Sequence, residues 1–259
     1  MRSCWAIAEG RVANRLRGVV LALVAALGLW GAADLARAAD CAHGGCIDIA
    51  TLPPTPHSDM AGVLSRAQRF FRTRATAYIV SSQSAAATLP YMLPRQKPFV
   101  LEHQIHIPEI YHARTEIKQS GRKHYVWHYI LGHEMAHVYQ EELGLIEAMS
   151  GPFKNNSVVL AELHADYMAG FFMAREFRVD SVTIDNLLRE LKELPVGPKG
   201  SASYHGQPGE RFFITTQGAL AAFRRPTPTL EQASAMGVNC AFDLLFARDK
   251  AKSLSEICR

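Results

Sequence analysis

Two short motifs constrain this chain more than anything else in it: His133-Glu134-Met135-Ala136-His137 and, further on, Glu162-Leu163-His164-Ala165-Asp166. A helix advances about 100° per residue, so His133 and His137 sit roughly 40° apart and one turn separated on a common face. Both imidazoles can then reach one ion. Glu134 falls to the side, close enough to take a proton from a water there without ligating. Glu162 and Asp166 repeat the one-turn spacing on a second helix. Glu162 completes a site of two histidines and one carboxylate with a fourth position left open, the pattern of catalytic zinc. Asp166 is the residue to accept the other ring N–H of a ligating histidine and fix its tautomer. Any fold for this chain must therefore bring two helices together at close range. Ala165, Ala169 and Gly170 supply small residues for that approach.

The charge balance favours catalysis over storage. Two neutral imidazoles and one carboxylate leave a Zn²⁺ site near about +1, enough to lower the pKa of a bound water toward about 7. Four thiolates would quench that charge.

The wider pattern resembles a known family. His133-Glu134-x-x-His137 with Glu162-x-x-x-Asp166 is similar to the gluzincin arrangement of thermolysin-like peptidases. Tyr129-x-x-Gly132 before the motif, Gln140 after it, Ala169-Gly170, and His205-Gly206 with Arg211 six residues beyond the histidine resemble the bacterial neutral zinc metallopeptidases. A histidine followed at that distance by an arginine also resembles the CaaX-prenyl-type peptidases. The likeness spans about residues 75–225. It implies a mostly helical, zincin-like metallopeptidase domain with a small β-sheet, zinc as cofactor, and a protein or peptide substrate. Two departures stand out: Met135-Ala136 is bulkier than the usual pair between the histidines, and the sequence after Arg211 does not align with the family and leaves the C-terminal part unassigned.

The N-terminus reads as an export signal. Residues 1–17 hold four arginines and one acid, residues 18–33 are uncharged and mostly apolar, and Ala36-Arg37-Ala38 offers a small-x-small cleavage site. The expected division is a signal peptide over 1–38 and a metallopeptidase domain over 39–259. A sixteen-residue apolar run reaches roughly 24 Å as a helix, short of the roughly 30 Å hydrocarbon core. An uncleaved anchor is the alternative, and membrane association is expected only in that case. Cys41, Cys46, Cys240 and Cys258 remain beyond the signal, an even number that suits an oxidising compartment. Three pairings are open; short loops put Cys41–Cys46 and Cys240–Cys258 first. Cys41, His43 and Cys46 alternatively form part of a metal site, with no fourth ligand nearby. The expected location is periplasmic or secreted.

Net charge excludes little else. The whole chain carries +4, and residues 1–38 hold five arginines against Glu9 and Asp34, which leaves about +1 for the rest. No nucleic-acid footprint remains. The oligomeric state is not written in the sequence.

Periodicity gives an α+β layout. Helices are expected from Ser58 to about Arg74, Arg122 to Leu143, Asn156 or Ser157 to about Phe177, Asp185 to Leu194, Pro208 to Arg224, and Thr229 to Ile257 with a break near Gly237. Strands are expected over Ala75–Ser81 and Phe99–Ile107, with Pro90, Pro94 and Pro98 breaking the segment between. Residues 39–57 read as irregular.

The other histidines separate by phase. His124 and His128 fall about 180° and 220° from His133, on the opposite face, as surface or packing residues. His103 reads as a partnered core or groove residue. His164 lies about 200° from Glu162 and points away from the ion. His205 sits in a loop between Gly200 and Gly206 and has three readings: oxyanion donor, a gate that swings onto the metal, or a plain turn histidine. Arg211 can orient that loop or pair with a carboxylate. Tyr204 and Tyr167 are weaker oxyanion candidates.

The function expected is an exported zinc metallopeptidase, with Glu134 as general base. Two rivals are a zinc amidase acting on cell-wall material and a non-catalytic, zinc-bound envelope chaperone or scaffold.

Overall fold

A computed structural model describes residues 46–55, 59–80, 91–93, 103–109, 112, 125–150, 157–180, 182–184, 186–187, 206–250 and 258. The chain divides at Cys46 into two units, and the second is Ile47–Arg259. The elements below belong to the second, with β1 opening on the last residue of the first. The expected signal segment, its cleavage site and Cys41 lie outside the described residues.

The second unit is mostly helical with a small mixed sheet, an α+β architecture. Strand β1 (Cys46–Asp48) leads through a 3-10 turn (Ile49–Thr51) to helix α1 (Met60–Phe71), so residues 39–57 are not irregular throughout. Asp59 caps α1 by accepting from the Gly62 N–H. One face of α1 buries Met60, Val63, Leu64, Ala67 and Phe71. Strands β2 (Ala75–Val80), β3 (Tyr91–Leu93) and β4 (His103–Pro108) complete a sheet of order β1-β2-β4-β3. The β2–β4 pair is parallel, with Ala75 opposite His103, and β3 runs antiparallel to β4. The proline-punctuated segment therefore contains a strand that its prolines hide: Tyr91–Leu93 fits between Pro90 and Pro94 at the sheet edge, where missing donors are tolerated.

Among the described residues the longer helices that follow are α2 (Val126–Glu142), α3 (Leu145–Ser150), α4 (Ser157–Phe177), α5 (Pro208–Ala222) and α6 (Leu230–Lys250). Gly144 ends α2 in the left-handed region at φ 65°, as its position predicts, but α3 starts again at once. Helix α4 is the hub, packing on α5, α2, α6, α3 and α1. Both α2 and α4 are buried on nearly every face, so neither shows a clean polar stripe in sequence. Between them, a Cβ on Gly132 would come 2.7 Å from the Phe172 ring and 3.6 Å from the Ala169 Cα. That is the close approach a shared ion requires. Gly170 serves a different neighbour: its added Cβ would meet the Thr215 carbonyl oxygen on α5 at 2.0 Å.

Helix α6 runs unbroken through Gly237. A Cβ there would lie 2.8 Å from the Tyr167 ring and 3.1 Å from His164, so this glycine admits α4 side chains and does not break the helix. Cys240 on α6 pairs with Cys258, one of the two disulfides expected. Cys46 is also disulfide-bonded. Residues 182–184 and 186–187 are helical, and the rest of the helix expected over Asp185–Leu194 lies outside the described residues. Among the described residues, no helix is long and apolar enough to cross a membrane.

Candidate metal centre

Helices α2 and α4 bring His133, His137 and Glu162 together, with one ligand atom from each within 4.8 Å of the others. The two Nε2 atoms are 3.1 Å apart. The Glu162 carboxylate spans them, Oε2 at 3.2 Å from His133 Nε2 and Oε1 at 3.3 Å from His137 Nε2. Two nitrogens and one carboxylate thus face one point. Among the described residues this is the group that can hold a metal ion. Glu134 is buried beside them and is not part of the converging set.

Behind His133 stands a charged network. Its Nδ1 lies 2.9 Å from Asp166 Oδ1. Arg211, from the first turns of α5, grips Asp166 with two donors, Nε to Oδ2 at 2.7 Å and Nη2 to Oδ1 at 2.8 Å. Tyr129 donates to the same carboxylate and accepts from Arg211 Nη2 at 2.9 Å. Asp166 is wholly buried. Burial alone would raise its pKa; the Arg211 guanidinium and His133 outweigh that and hold it at about 2. Its folded pKa is therefore below its unfolded value, so its contribution to stability is present above about pH 4 and is lost as pH falls toward 2.

The histidines titrate in the opposite sense. Burial disfavours the charge on His133, but Asp166 and Glu162 overcome it and raise its pKa to about 10. His137 is also raised, burial opposing and Glu162 prevailing. Without a cation these carboxylates favour proton binding by the imidazoles, and a metal ion entering the site competes with that proton.

The residues weighed from sequence have definite places, apart from Cys41, His43, His124, Tyr204 and His205, which lie outside the described residues. Gly206, next to His205, sits at φ 94° with its Cβ position 3.7 Å from Leu163 and Val159 on α4 and 3.8 Å from Arg211. Arg211 pairs with Asp166. Tyr167 is not at the centre: its ring faces α6 at Gly237, and burial pushes its hydroxyl up to about 12. His128 packs edge-on against Phe177, ring centroids 4.2 Å apart. His103 is buried with Nδ1 3.6 Å from a Glu141 oxygen and Nε2 3.8 Å from one of Glu142. His164 points away from the His133–His137–Glu162 group, toward Gln140 and Ser234, as its phase requires.

Two residues carry roles that the helical phases did not assign. Tyr129 shares the Asp166 carboxylate, and Gln140 contacts His137 Nδ1 through Oε1 at 2.9 Å. The available signal was spacing: Tyr129 is one turn before His133, and Gln140 is three residues after His137 on the same face.

No protein-family model, curated protein or solved structure matches this chain. The reading of the site therefore rests on its own geometry.

Breaking the charged network has a definite expected result. Asp166→Asn leaves Arg211, whose side chain keeps 20% exposure, without its counter-charge. Because solvent reaches that guanidinium, the loss should fall below the cost of about 3–5 kcal/mol that a wholly buried pair incurs. Urea unfolding of the metal-free protein should show that loss. An unchanged midpoint would mean that the pair contributes no net stability.

Proposed function

We propose that this protein is an exported zinc metallopeptidase with a zincin-like site. The single observation that carries the reading is the convergence of His133 Nε2, His137 Nε2 and the Glu162 carboxylate at 3.1–3.3 Å from one another. Tetrahedral zinc with ligands at about 2.0–2.2 Å needs donor separations of roughly 3.3–3.5 Å, so the set fits with little adjustment. Three protein donors also leave room for one more ligand, which distinguishes a reactive site from a structural one.

Zinc, when held by His133, His137 and Glu162, would polarise the substrate carbonyl and acidify the attacking water. The remaining work falls to this chain's own side chains. Glu134 takes the water's proton and returns it to the leaving amine. Asp166, clamped by Arg211, holds His133 from behind and keeps its Nε2 turned to the centre. Burial of Glu134, His133 and Glu162 excludes bulk water and strengthens each of these interactions. The Cys240–Cys258 disulfide supports an oxidising compartment, in keeping with export.

Residues 39–259, purified without metal and reconstituted, should take up one zinc per chain with a large gain in thermal stability. At free zinc about 100-fold above Kd the gain is about 2.7 kcal/mol. The loaded protein should cleave casein or members of a peptide library, and a chelator should abolish cleavage until zinc is restored. Stoichiometric zinc with no cleavage of any peptide would favour a non-catalytic scaffold. Failure to bind zinc would remove the metal reading altogether.

A further inference from the structure

We propose that Gln140 is the positioning residue that fixes the metal-binding tautomer of His137, and that its orientation is dictated by Ala161, His164 and Ser234. The inference rests on the metal reading above and concerns what prepares the second histidine.

The direction of the chain follows from one acceptor. Gln140 is completely buried, so its amide must find partners inside the protein. Its nitrogen lies 2.8 Å from the Ala161 carbonyl oxygen on α4. A backbone carbonyl only accepts, so the amide nitrogen must be the group facing it. The amide oxygen then faces His137 Nδ1 at 2.9 Å, and it too can only accept. His137 must therefore carry its proton on Nδ1, which leaves the Nε2 lone pair for a metal ion.

The same logic runs outward. The second N–H of the Gln140 amide points to His164 Nδ1 at 2.8 Å, which must accept. The His164 proton is then on Nε2, 3.1 Å from the Ser234 hydroxyl on α6. Three helices, α2, α4 and α6, thus agree on one proton position. Had the amide been turned over, its oxygen would face the Ala161 oxygen and its nitrogen would donate to His137 Nδ1, which would move the His137 proton to Nε2 and occupy the lone pair a metal ion needs.

The two ligand histidines are held by different chemistry. His133 is backed by a carboxylate and a guanidinium, His137 by an uncharged amide. A second carboxylate in the place of Gln140 would add negative charge beside a site that already includes Glu162. A neutral acceptor orients the ring and leaves the net positive charge of a loaded site intact. This also gives His164 a purpose: it is a buried, hydrogen-bonded prop one step removed from the ligands.

The test is zinc affinity by competition with a chromophoric chelator, measured on the full chain without signal segment. Gln140→Met keeps length and bulk but removes the acceptor, and should weaken zinc binding by about 10–100-fold. Gln140→Glu keeps an acceptor toward His137 and, with its other oxygen protonated against the Ala161 carbonyl, should stay within about tenfold of the wild type. In ¹⁵N-histidine spectra of the zinc-loaded protein, the His137 Nδ1 proton should be protected from exchange in the wild type and in Gln140→Glu. It should exchange freely in Gln140→Met. Unchanged affinity and unchanged protection in Gln140→Met would overturn the proposal. If Gln140→Met does not fold, Gln140→Glu decides, because a loss larger than about tenfold with His137 Nδ1 unprotected would also overturn it. A wild type that binds no zinc would instead defeat the metal reading, so the two failures are distinguishable.

Discussion

Glu134→Gln is expected to bind zinc as the wild type does and to lose peptide hydrolysis by about 10²–10⁴-fold, the usual contribution of a general acid–base group. The separation of the two effects is the informative part. Glu134 is buried on the same helix as both histidines but stands outside the group of converging donor atoms. Glutamine keeps its volume and removes its ability to take a proton. Turnover should fall, with KM little altered, because proton transfer occurs only on the way to the transition state. Zinc content by elemental analysis should remain one per chain. Activity within tenfold of wild type would sink the mechanism with Glu134 as base. Loss of zinc would mean that Glu134 belongs to the ligand set.

The candidate centre was legible because its signal is local. A one-turn spacing places two imidazoles on one face whatever the rest of the fold does, and the same rule turned His164 away from Glu162. Asp166 and Arg211 were legible as types but not as a pair. Arg211 lies on α5, and nothing in one sequence says which helix packs over the Asp166 turn. Helix existence was read correctly for α1, α2, α4, α5 and α6: α1 carries one apolar face, and the others are long runs with no proline in their interior. What failed depended on tertiary context. Gly237 reads as a helix breaker, yet Tyr167 and His164 need the space its missing side chain leaves. Strand β3 is three residues between prolines and is defined only by its pairing with β4. Gly170 was recognisable as a close-approach residue, but its partner is α5 and not α2.

That partner choice leads to the largest expected loss of stability. Gly170 on α4 and Gly218 on α5 face one another across a crossing where the two backbones touch. A Cβ on Gly170 would fall 2.0 Å from the Thr215 carbonyl oxygen and 3.2 Å from the Ala219 nitrogen. A Cβ on Gly218 would fall 1.9 Å from the Tyr167 carbonyl oxygen and 3.1 Å from the Phe171 nitrogen. Neither neighbour can swing aside, because both are helical backbone. Alanine normally favours a helix over glycine by about 1 kcal/mol, but here the helices must separate first. Overpacking of this kind costs about 1–3 kcal/mol even where side chains can yield, so a rigid crossing should cost more than about 3 kcal/mol. Against a total stability of about 5–15 kcal/mol, Gly170→Ala or Gly218→Ala should leave much of the protein unfolded or insoluble. The loss should extend to the metal centre, since α5 carries Arg211 and α4 carries Asp166 and Glu162. Gly209→Ala is the control: it lies in the first turn of α5 with nothing within 4 Å of its Cβ position, and should be neutral or slightly stabilising. Urea midpoints for the three variants give the measurement. A Gly218→Ala protein as stable as Gly209→Ala would mean that α4 and α5 do not touch backbone to backbone.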